Sequence, residues 1–197
     1  MKNSMNRLFF DQINESLFDN RLSGNQRSGI NYKLTAFELH NIKDVRWKAY
    51  MLATSFHETA RTMQPVEEIG KGRNKPYGKR YKYNGEHYTN PDKLYFGRGD
   101  IQLTWYENYE LMGRLLNLPL LERPELALEP EVSARIMIIG MTRGLFTGVS
   151  LGRFFNSYKN DPFNARKIVN GIDRAKLIEG YYFRFLEGLS NESGFRK

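Results

Sequence analysis

The chain has 197 residues, 40% of them hydrophobic and 26% charged, and this length and composition predict one globular domain with its own hydrophobic core. It contains no cysteine, which excludes disulfide bonds and thiolate metal sites and leaves the redox compartment open. A formal net charge of +8 predicts attraction to a polyanion, whether nucleic acid, anionic lipid or an acidic cell-wall polymer.

The N-terminal part of the chain predicts two short helices. Apolar residues recur at helical spacing over residues 8–18, and again over 30–37 after a break at Ser23-Gly24. The N-terminus lacks the apolar core of a secretory signal, and no apolar run approaches the roughly 20 residues that span a bilayer. We therefore expect a protein made in the cytoplasm, without a transmembrane segment, that needs a separate route to any substrate outside.

A third helix is predicted after Asp44, whose carboxylate is a suitable N-cap. One stripe of this helix ends at Glu58 and contains Trp47, Tyr50, Met51, Thr54 and Ser55. A carboxylate at the end of a buried stripe is partly desolvated, which favours its protonated form. Glu58 is therefore a candidate general acid near neutral pH.

Helical periodicity is lost from Gln64 to Asp100, where Gly, Pro, Asn and Tyr dominate. The Asn84-Gly85 pair in this segment is typical of a short β-hairpin. An irregular segment of this length is usually functional or disordered. Its cations and tyrosines suit a single-stranded nucleic acid, a polymer with anionic substituents, or solvent alone, and all three interpretations stay open. The residues are Lys71, Arg73, Lys75, Lys79, Arg80, Lys82, Lys93 and Arg98 with Tyr77, Tyr81, Tyr83, Tyr88 and Tyr95.

Helical spacing returns in the second half of the chain. It covers about 106–116, then 130–144, and finally 165–169 and 173–189. The last of these segments has a predicted inward stripe of Leu177, Ile178, Tyr181 and Phe185. The predicted fold class is therefore mainly α, with a long irregular loop that leaves room for a small β-hairpin.

The first group of residues that could carry chemistry consists of Glu58 and the adjacent pair Glu67-Glu68 just beyond the third helix. Glycoside hydrolysis needs two carboxylates on opposite sides of a cleft, one as acid and one as base. On spacing alone, a solvated acidic pair without a chemical role is the simpler interpretation of Glu67-Glu68.

The second group lies in the segment from Tyr95 to Trp105, continuing to Asn108. Two glycines around Arg98 allow a close backbone turn. The amide, hydroxyl and stacking groups that sugars require are then supplied by Gln102, Thr104, Trp105 and Asn108. A turn whose aromatic residues belong to the core explains the same pattern equally well.

Zinc and serine chemistry find little support. His57-Glu58 begins like a zinc-protease helix, but position 61 is Arg, so the second histidine ligand is missing. Gly148 to Gly152 satisfies the G-x-S-x-G pattern without the strand-turn-helix context of a nucleophile elbow. We therefore expect no metal and no cofactor.

The segments His57-Glu58-Thr59, Gly97 to Trp105 and Val169-Asn170-Gly171, in this order, resemble glycoside hydrolase family 19, which comprises chitinases and phage endolysins. The resemblance implies a lysozyme-like helical fold. It implies that Glu58 is the general acid, that an acidic residue of the following loop is the base, and that Thr104 helps to hold the catalytic water. The implied sugar-binding residues are His57, Tyr95, Arg98, Gln102, Trp105, Asn108 and Asn170.

Without the disulfides of the plant enzymes, the chain is closer to the phage and bacterial branch of that family. We expect one catalytic domain over 1–197, with N-terminal helices over 1–43 and the catalytic core over 44–189. By the same resemblance, Glu67 matches the shorter spacing of some endolysins, whereas Glu68, directly before Ile69-Gly70, matches similar bacterial sequences better, and of these two candidates we expect Glu68 to be the base.

The expected function is an inverting, endolysin-like hydrolase of peptidoglycan, with chitin as the alternative substrate. A non-catalytic module that binds glycan or nucleic acid is the alternative of another class. We expect a monomer that binds no nucleic acid and reaches the cell wall after release from the cytoplasm.

Overall fold

The computed structural model describes residues 2–192, and within them six α-helices account for most of the ordered backbone. Two short strands pair in antiparallel fashion, with Val66 opposite Gly99 and Glu67 opposite Arg98. The elements are α1 (Lys2–Phe18), α2 (Gly24–Leu39), α3 (Val45–Glu58), β1 (Val66–Glu67), β2 (Arg98–Gly99), α4 (Tyr106–Leu116), α5 (Pro130–Arg143) and α6 (Ala175–Glu192). The prediction of a mainly α fold is confirmed. In the described part of the chain, every helix is too short or too polar to cross a bilayer.

Helix α3 lies at the centre of the fold. The Asp44 side chain accepts a hydrogen bond from the backbone N–H of Arg46, as the sequence predicted for an N-cap. The helix is buried at every position from Ala49 to Phe56, so the predicted single stripe was too narrow. The reason is that α2, α5 and α6 all pack against α3, and burial on several sides leaves it no solvated face.

Helix α6 supplies the largest contact with α3, partly through the edge-on packing of Phe56 against Phe185 at 5.9 Å between ring centroids. Ile178 and Phe185 are buried as predicted, but Leu177 is 43% exposed and Tyr182 is fully buried. The buried face of α6 contains positions 178, 182, 185 and 189. Position 177 is turned about a third of a turn away from position 178, which places Leu177 outside this face.

Helix α2 approaches the start of the irregular segment very closely. It begins with a capping box, in which the Ser23 side chain and the Gln26 side chain each cap the other's backbone N–H. Further along, a Cβ added at Gly29 would lie 1.9 Å from the carbonyl oxygen of Met63. Only glycine therefore allows this contact, which fixes where the chain leaves the helical body.

A buried ion pair connects four segments behind the β1–β2 ribbon. The Lys33 ammonium lies 2.7 Å from the Asp100 carboxylate, and both side chains are at most 2% exposed. Lys33 also donates to the carbonyl of Met63, and Asp100 accepts hydrogen bonds from the hydroxyls of Ser55 and Ser133. Because the charges and polar groups satisfy one another, this pair joins α2, α3, α5 and the turn after β2.

The segment from 60 to 100 is ordered by local turns and by its own aromatic core. Tyr81 and His87 form an isolated antiparallel bridge around a turn in which Gly85 has φ of 83°. This is the hairpin that the Asn84-Gly85 pair predicted. Tyr88 and Tyr95 pack together at 5.4 Å between ring centroids, so the loop buries apolar surface without regular secondary structure.

Candidate active site

Glu58 is the last residue of α3, and its side chain is 16% exposed. Its Oε1 atom accepts a hydrogen bond of 2.5 Å from Nη1 of Arg166, which is itself 4% exposed. Arg166 belongs to the 3₁₀ segment Asn164–Ile168 and also donates from Nε to the carbonyl of Asp173. The carboxylate is thus held by a guanidinium that is anchored to a different part of the chain.

His57 lies beside Glu58 and is half-buried. Burial lowers the pKa of its imidazole, Glu58 opposes this change, and Arg166 reinforces it. The imidazole is therefore neutral at neutral pH. The structure gives His57 a place next to the candidate acid, and its contact with sugar stays a prediction.

In the structure, the side chains of Glu67 and Glu68 have different partners, a difference that the sequence alone could not predict. The Oε1 atom of Glu68 accepts a hydrogen bond from the hydroxyl of Tyr77, and its Oε2 accepts one from the backbone N–H of Gly97, both at 3.0 Å. Glu67 instead forms ion pairs with Arg98 at 3.4 Å and with Lys71 at 3.5 Å. Adjacent residues of an extended chain point to opposite faces, which explains the division.

Tyr77 holds Glu68 in place through a hydroxyl that remains protonated. Burial raises the pKa of Tyr77 to about 12, and the hydrogen bond to Glu68 acts in the same direction. Below that pH the phenol therefore continues to donate to the carboxylate.

Gly97 allows Glu68 and Gln102 to lie close together. A Cβ at position 97 would lie 2.6 Å from Oε1 of Gln102 and 3.2 Å from Cβ of Glu68. Gln102 is fixed by donating its amide protons to the carbonyls of Val66 and Gly99. One predicted sugar-binding residue is thus brought next to the candidate base.

A small cavity brings together three of the predicted site residues. We call it the Thr104 cavity; it has a volume of about 80 Å³ and is lined by Tyr83, Ile101, Gln102, Leu103, Thr104, Asn108, Phe146 and Val169. This volume is sufficient for a few water molecules. Among the described residues, the Thr104 hydroxyl has no hydrogen-bond partner, so it is available to a water or a sugar hydroxyl.

Trp105 and Asn108 contact an aromatic side chain from the hairpin. Trp105 stacks on Tyr83 with ring centroids 4.3 Å apart and an interplanar angle of 26°. Asn108 donates from Nδ2 to the Tyr83 hydroxyl and to the carbonyl of Thr104. Because Tyr83 is 54% exposed, the stacked pair presents an aromatic surface beside the Thr104 cavity.

Tyr95 and Arg98 are buried, and this argues against their predicted contact with sugar. Tyr95 is fully buried and donates its hydroxyl proton to the carbonyl of Leu121. Arg98 is 6% exposed, and its guanidinium lies 3.7 Å from the ring centroid of Phe96. Both residues support the turn that carries Gln102 and Thr104, and this structural role takes the place of the expected contact with sugar.

Asn170 is exposed, and its Oδ1 accepts a hydrogen bond from the backbone N–H of Gly171. Its own N–H donates to the carbonyl of Arg166. Since Val169 lines the Thr104 cavity, the turn from Arg166 to Asn170 connects the Glu58 carboxylate with that cavity. Asn170 therefore lies at the edge of the candidate site.

Sequence reasoning missed Arg166 and did not single out Tyr77 or Tyr83 within the loop. Arg166 gave one weak signal, since it directly follows the apolar residue Ala165 and, with Lys167, precedes Ile168 in a segment predicted to be helical. A buried arginine requires an anionic or carbonyl partner. The sequence does not show which carboxylate that is.

Comparisons with known proteins point to chitinases. No family model matches the chain. An endochitinase of Arabidopsis thaliana is 40% identical over 78 residues, which are 40% of this chain and 25% of that protein. The basic endochitinase CHB4 of Brassica napus is 44% identical over 78 residues, or 40% of this chain and 28% of that protein. The chain thus spans about a quarter of the length of these curated relatives.

Solved structures cover much more of the chain. Chitinase C of Streptomyces griseus HUT6037 matches with a TM-score of 0.59 and 23% identity, over 93% of this chain and 75% of that one. A bacterial family 19 chitinase matches with a TM-score of 0.57 and 21% identity, over 91% of this chain and 93% of that one. At this identity the likeness shows a shared fold. The lysozyme-like fold that the sequence implied is therefore confirmed, and the chain is chitinase-like.

Proposed function

We propose that this chitinase-like chain is a glycoside hydrolase that cleaves a β-1,4-linked amino-sugar polymer with inversion at the anomeric carbon. The observation that carries the proposal is the presence of two carboxylates on separate elements, Glu58 at the end of α3 and Glu68 after β1, each held by hydrogen bonds. The endochitinase relatives support the same class of reaction.

In the proposed reaction, the protonated form of Glu58 donates its proton to the glycosidic oxygen while the bond from that oxygen to the anomeric carbon breaks. Arg166 occupies Oε1 of Glu58, so the proton is carried by Oε2. After the transfer, the guanidinium stabilises the carboxylate that remains.

Glu68 acts as the base on the other side of the sugar. It takes a proton from a water molecule, whose oxygen bonds to the anomeric carbon from the face opposite the leaving group. Thr104 and Gln102 are suited to orient that water, because Thr104 lines the cavity with a hydroxyl that no described residue engages, and Gln102 lies beside Glu68. One water is thereby added across the bond, and proton exchange with solvent restores both carboxyl groups.

Peptidoglycan is the proposed natural polymer. The net charge of +8 and the cations of the irregular segment suit a wall that carries carboxylates and phosphates, whereas neutral chitin gains little from them. Chitin is the second candidate, and the names of the similar endochitinases favour it.

The decisive experiment is parallel digestion of purified sacculi and of chitin, with reducing ends and product masses measured. We expect new sugar ends from sacculi, with the inverted anomer visible by NMR before mutarotation. Turnover of chitin together with inert sacculi would identify a chitinase. A chain that binds either polymer and releases no sugar ends from either one would be a binding module.

Salt distinguishes the two polymers further. Long-range attraction is screened over about 8 Å at physiological ionic strength. Wall digestion should therefore slow as salt is raised, while cleavage of short chitin oligomers should hardly change.

A further inference from the structure

A second and larger cavity opens on the other face of the β1–β2 ribbon. We call it the Phe96 cavity; it has a volume of about 410 Å³ and is lined by Glu67, Lys71, Arg80, Asp92, Lys93, Leu94, Phe96, Arg98, Pro124 and Glu125. Its volume falls within the range of about 300 to 1,000 Å³ that is usual for pockets that bind small molecules. The acid–base mechanism uses none of these residues.

The floor of the Phe96 cavity contains a buried cation with unused hydrogen-bonding capacity. The Arg98 guanidinium stacks on the Phe96 ring, and its Nη1 donates to the carbonyl of Leu94 and the hydroxyl of Tyr109. Its Nε is buried and faces Oε1 of Glu67 at 3.4 Å, a contact too long for a good hydrogen bond, and it has no hydrogen-bond partner among the described residues. Since buried donors are nearly always satisfied, this long contact leaves the Arg98 guanidinium able to donate to a better-placed acceptor.

The carboxylates of the cavity do not fully neutralise its cations. Glu67 is shared by Arg98 at 3.4 Å and Lys71 at 3.5 Å, both longer than the roughly 2.7–2.9 Å of a strong charge-assisted hydrogen bond. The charge of Lys93 helps to lower the pKa of Glu125, but that carboxylate already accepts a hydrogen bond of 3.2 Å from Arg123. A further carboxylate would therefore find Lys71, Lys93 and Arg98 incompletely paired.

The walls favour a carboxylate that is attached to a small apolar group. Leu94, Phe96 and Pro124 supply apolar surface beside the cations, and this combination matches the carboxyl-terminal part of a short peptide better than a bare inorganic ion. Four extended residues reach at most about 14 Å, and Glu67, which lines the cavity, is the chain neighbour of Glu68.

We propose that the Phe96 cavity binds a carboxylate of the peptide substituents that a peptidoglycan strand carries while its sugars occupy the face of Glu68. The inference rests on the proposed function, and it would make the cavity the feature that favours peptide-bearing glycan over chitin.

Direct binding of a peptide tests this proposal without any cleavage step. The probe is the soluble tetrapeptide L-Ala-D-Glu-L-Lys-D-Ala, and its carboxamide form is the control ligand. NMR titration of the whole chain should show the acidic peptide shifting the signals of Leu94 and Phe96, and the carboxamide form binding at least fivefold more weakly.

Two charge-matched double variants locate the site. Lys71→Met with Lys93→Met should weaken peptide binding about fivefold or more. Lys75→Met with Lys79→Met removes the same charge from exposed positions of the same segment outside the cavity, and should leave binding within twofold. Glu67→Gln should tighten binding severalfold, because it removes the carboxylate that competes for Lys71 and Arg98.

Equal weakening in the two double variants, or no measurable binding by the unaltered chain, would overturn the proposal. The proposed function is judged separately, by sugar release from sacculi and chitin. If the chain cleaves sacculi without binding the peptide, the proposed function is supported and the peptide site is contradicted. If it binds the peptide and cleaves neither polymer, the peptide site is supported and the proposed function is contradicted.

Discussion

The two candidate catalytic carboxylates are held in opposite ways. Glu58 ends a helix that packs against α2, α5 and α6, and its partner Arg166 is anchored on a distant segment. Glu68 follows a strand of two residues, and its partners Tyr77 and Gly97 both belong to the irregular segment. The orientation of the first carboxylate depends on the helical core, while that of the second depends on hydrogen bonds within a loop.

This difference predicts that stability and activity respond differently to changes in the two regions. Changes in the helical body should affect stability and activity together, because α3 contributes both the core and Glu58. Changes in the irregular segment before Asp100, whose carboxylate belongs to the buried network of the helical body, should affect activity or binding with little effect on stability, because the segment has its own aromatic packing. Four substitutions test this division.

The largest effect is expected from Glu58→Gln. Loss of a general acid lowers turnover by about a hundredfold to ten-thousandfold, while the amide can still accept the hydrogen bond from Arg166. Turnover and the denaturation midpoint should be measured beside Glu110→Gln, an exposed control on α4. A folded variant that keeps more than a tenth of the activity would remove Glu58 from the mechanism.

The next effect is on stability, from Asp100→Asn. Removing one partner of a buried ion pair costs about 3–5 kcal/mol, because the Lys33 ammonium stays buried without its counter-charge. Urea unfolding measures the loss. The double change Lys33→Met with Asp100→Leu should recover most of it, and a single-variant cost below about 1 kcal/mol would show that the pair does not hold the helical body together.

Glu68→Gln should lower turnover by about a hundredfold and leave the unfolding midpoint almost unchanged. Glu67→Gln should reduce turnover less than threefold, since its carboxylate faces Lys71 and Arg98 instead. Initial rates on sacculi give the comparison. Equal effects of the two substitutions would contradict the assignment of Glu68 as base, and two silent substitutions would place the base elsewhere.

The smallest effect is expected at the hairpin, from Tyr83→Ala. Removing the ring that stacks on Trp105 should raise KM for the polymer by about twofold to tenfold, in line with roughly 0.5–1.5 kcal/mol for an aromatic contact, and leave kcat nearly constant. Tyr158→Ala, at another exposed tyrosine, is the control. A loss of kcat at constant KM would instead show that the hairpin positions the reacting groups.

The sequence predicted those features that depend on neighbouring residues. Asp44 and the apolar spacing after it located α3, and the Asn84-Gly85 pair located the hairpin. The pairing of Arg166 with Glu58 joins residues 108 positions apart, and no local pattern specifies such a contact. For the same reason, the sequence could place Glu67 and Glu68 in one loop but could not determine which face each one occupies.

The motif from Tyr95 to Trp105 shows a second limit on predicting site residues from the sequence. It contains residues that support the turn, such as Tyr95 and Arg98, beside residues that line the Thr104 cavity, such as Gln102. Both groups contain aromatic or polar residues, so residue type alone does not distinguish a supporting residue from a cavity-lining one. Only burial separates them, and burial depends on how α4 and the irregular segment pack against each other.

The close approach of α2 to Met63 also limits which sequences can encode this molecule. A Cβ at position 29 would lie 1.9 Å from the Met63 carbonyl oxygen, so even alanine would force the two segments apart. Met63 precedes Glu68 by only a few residues, and the displacement would reach that carboxylate directly. Position 29 should therefore tolerate as little variation as a reacting group, although glycine has no side chain to take part in the chemistry.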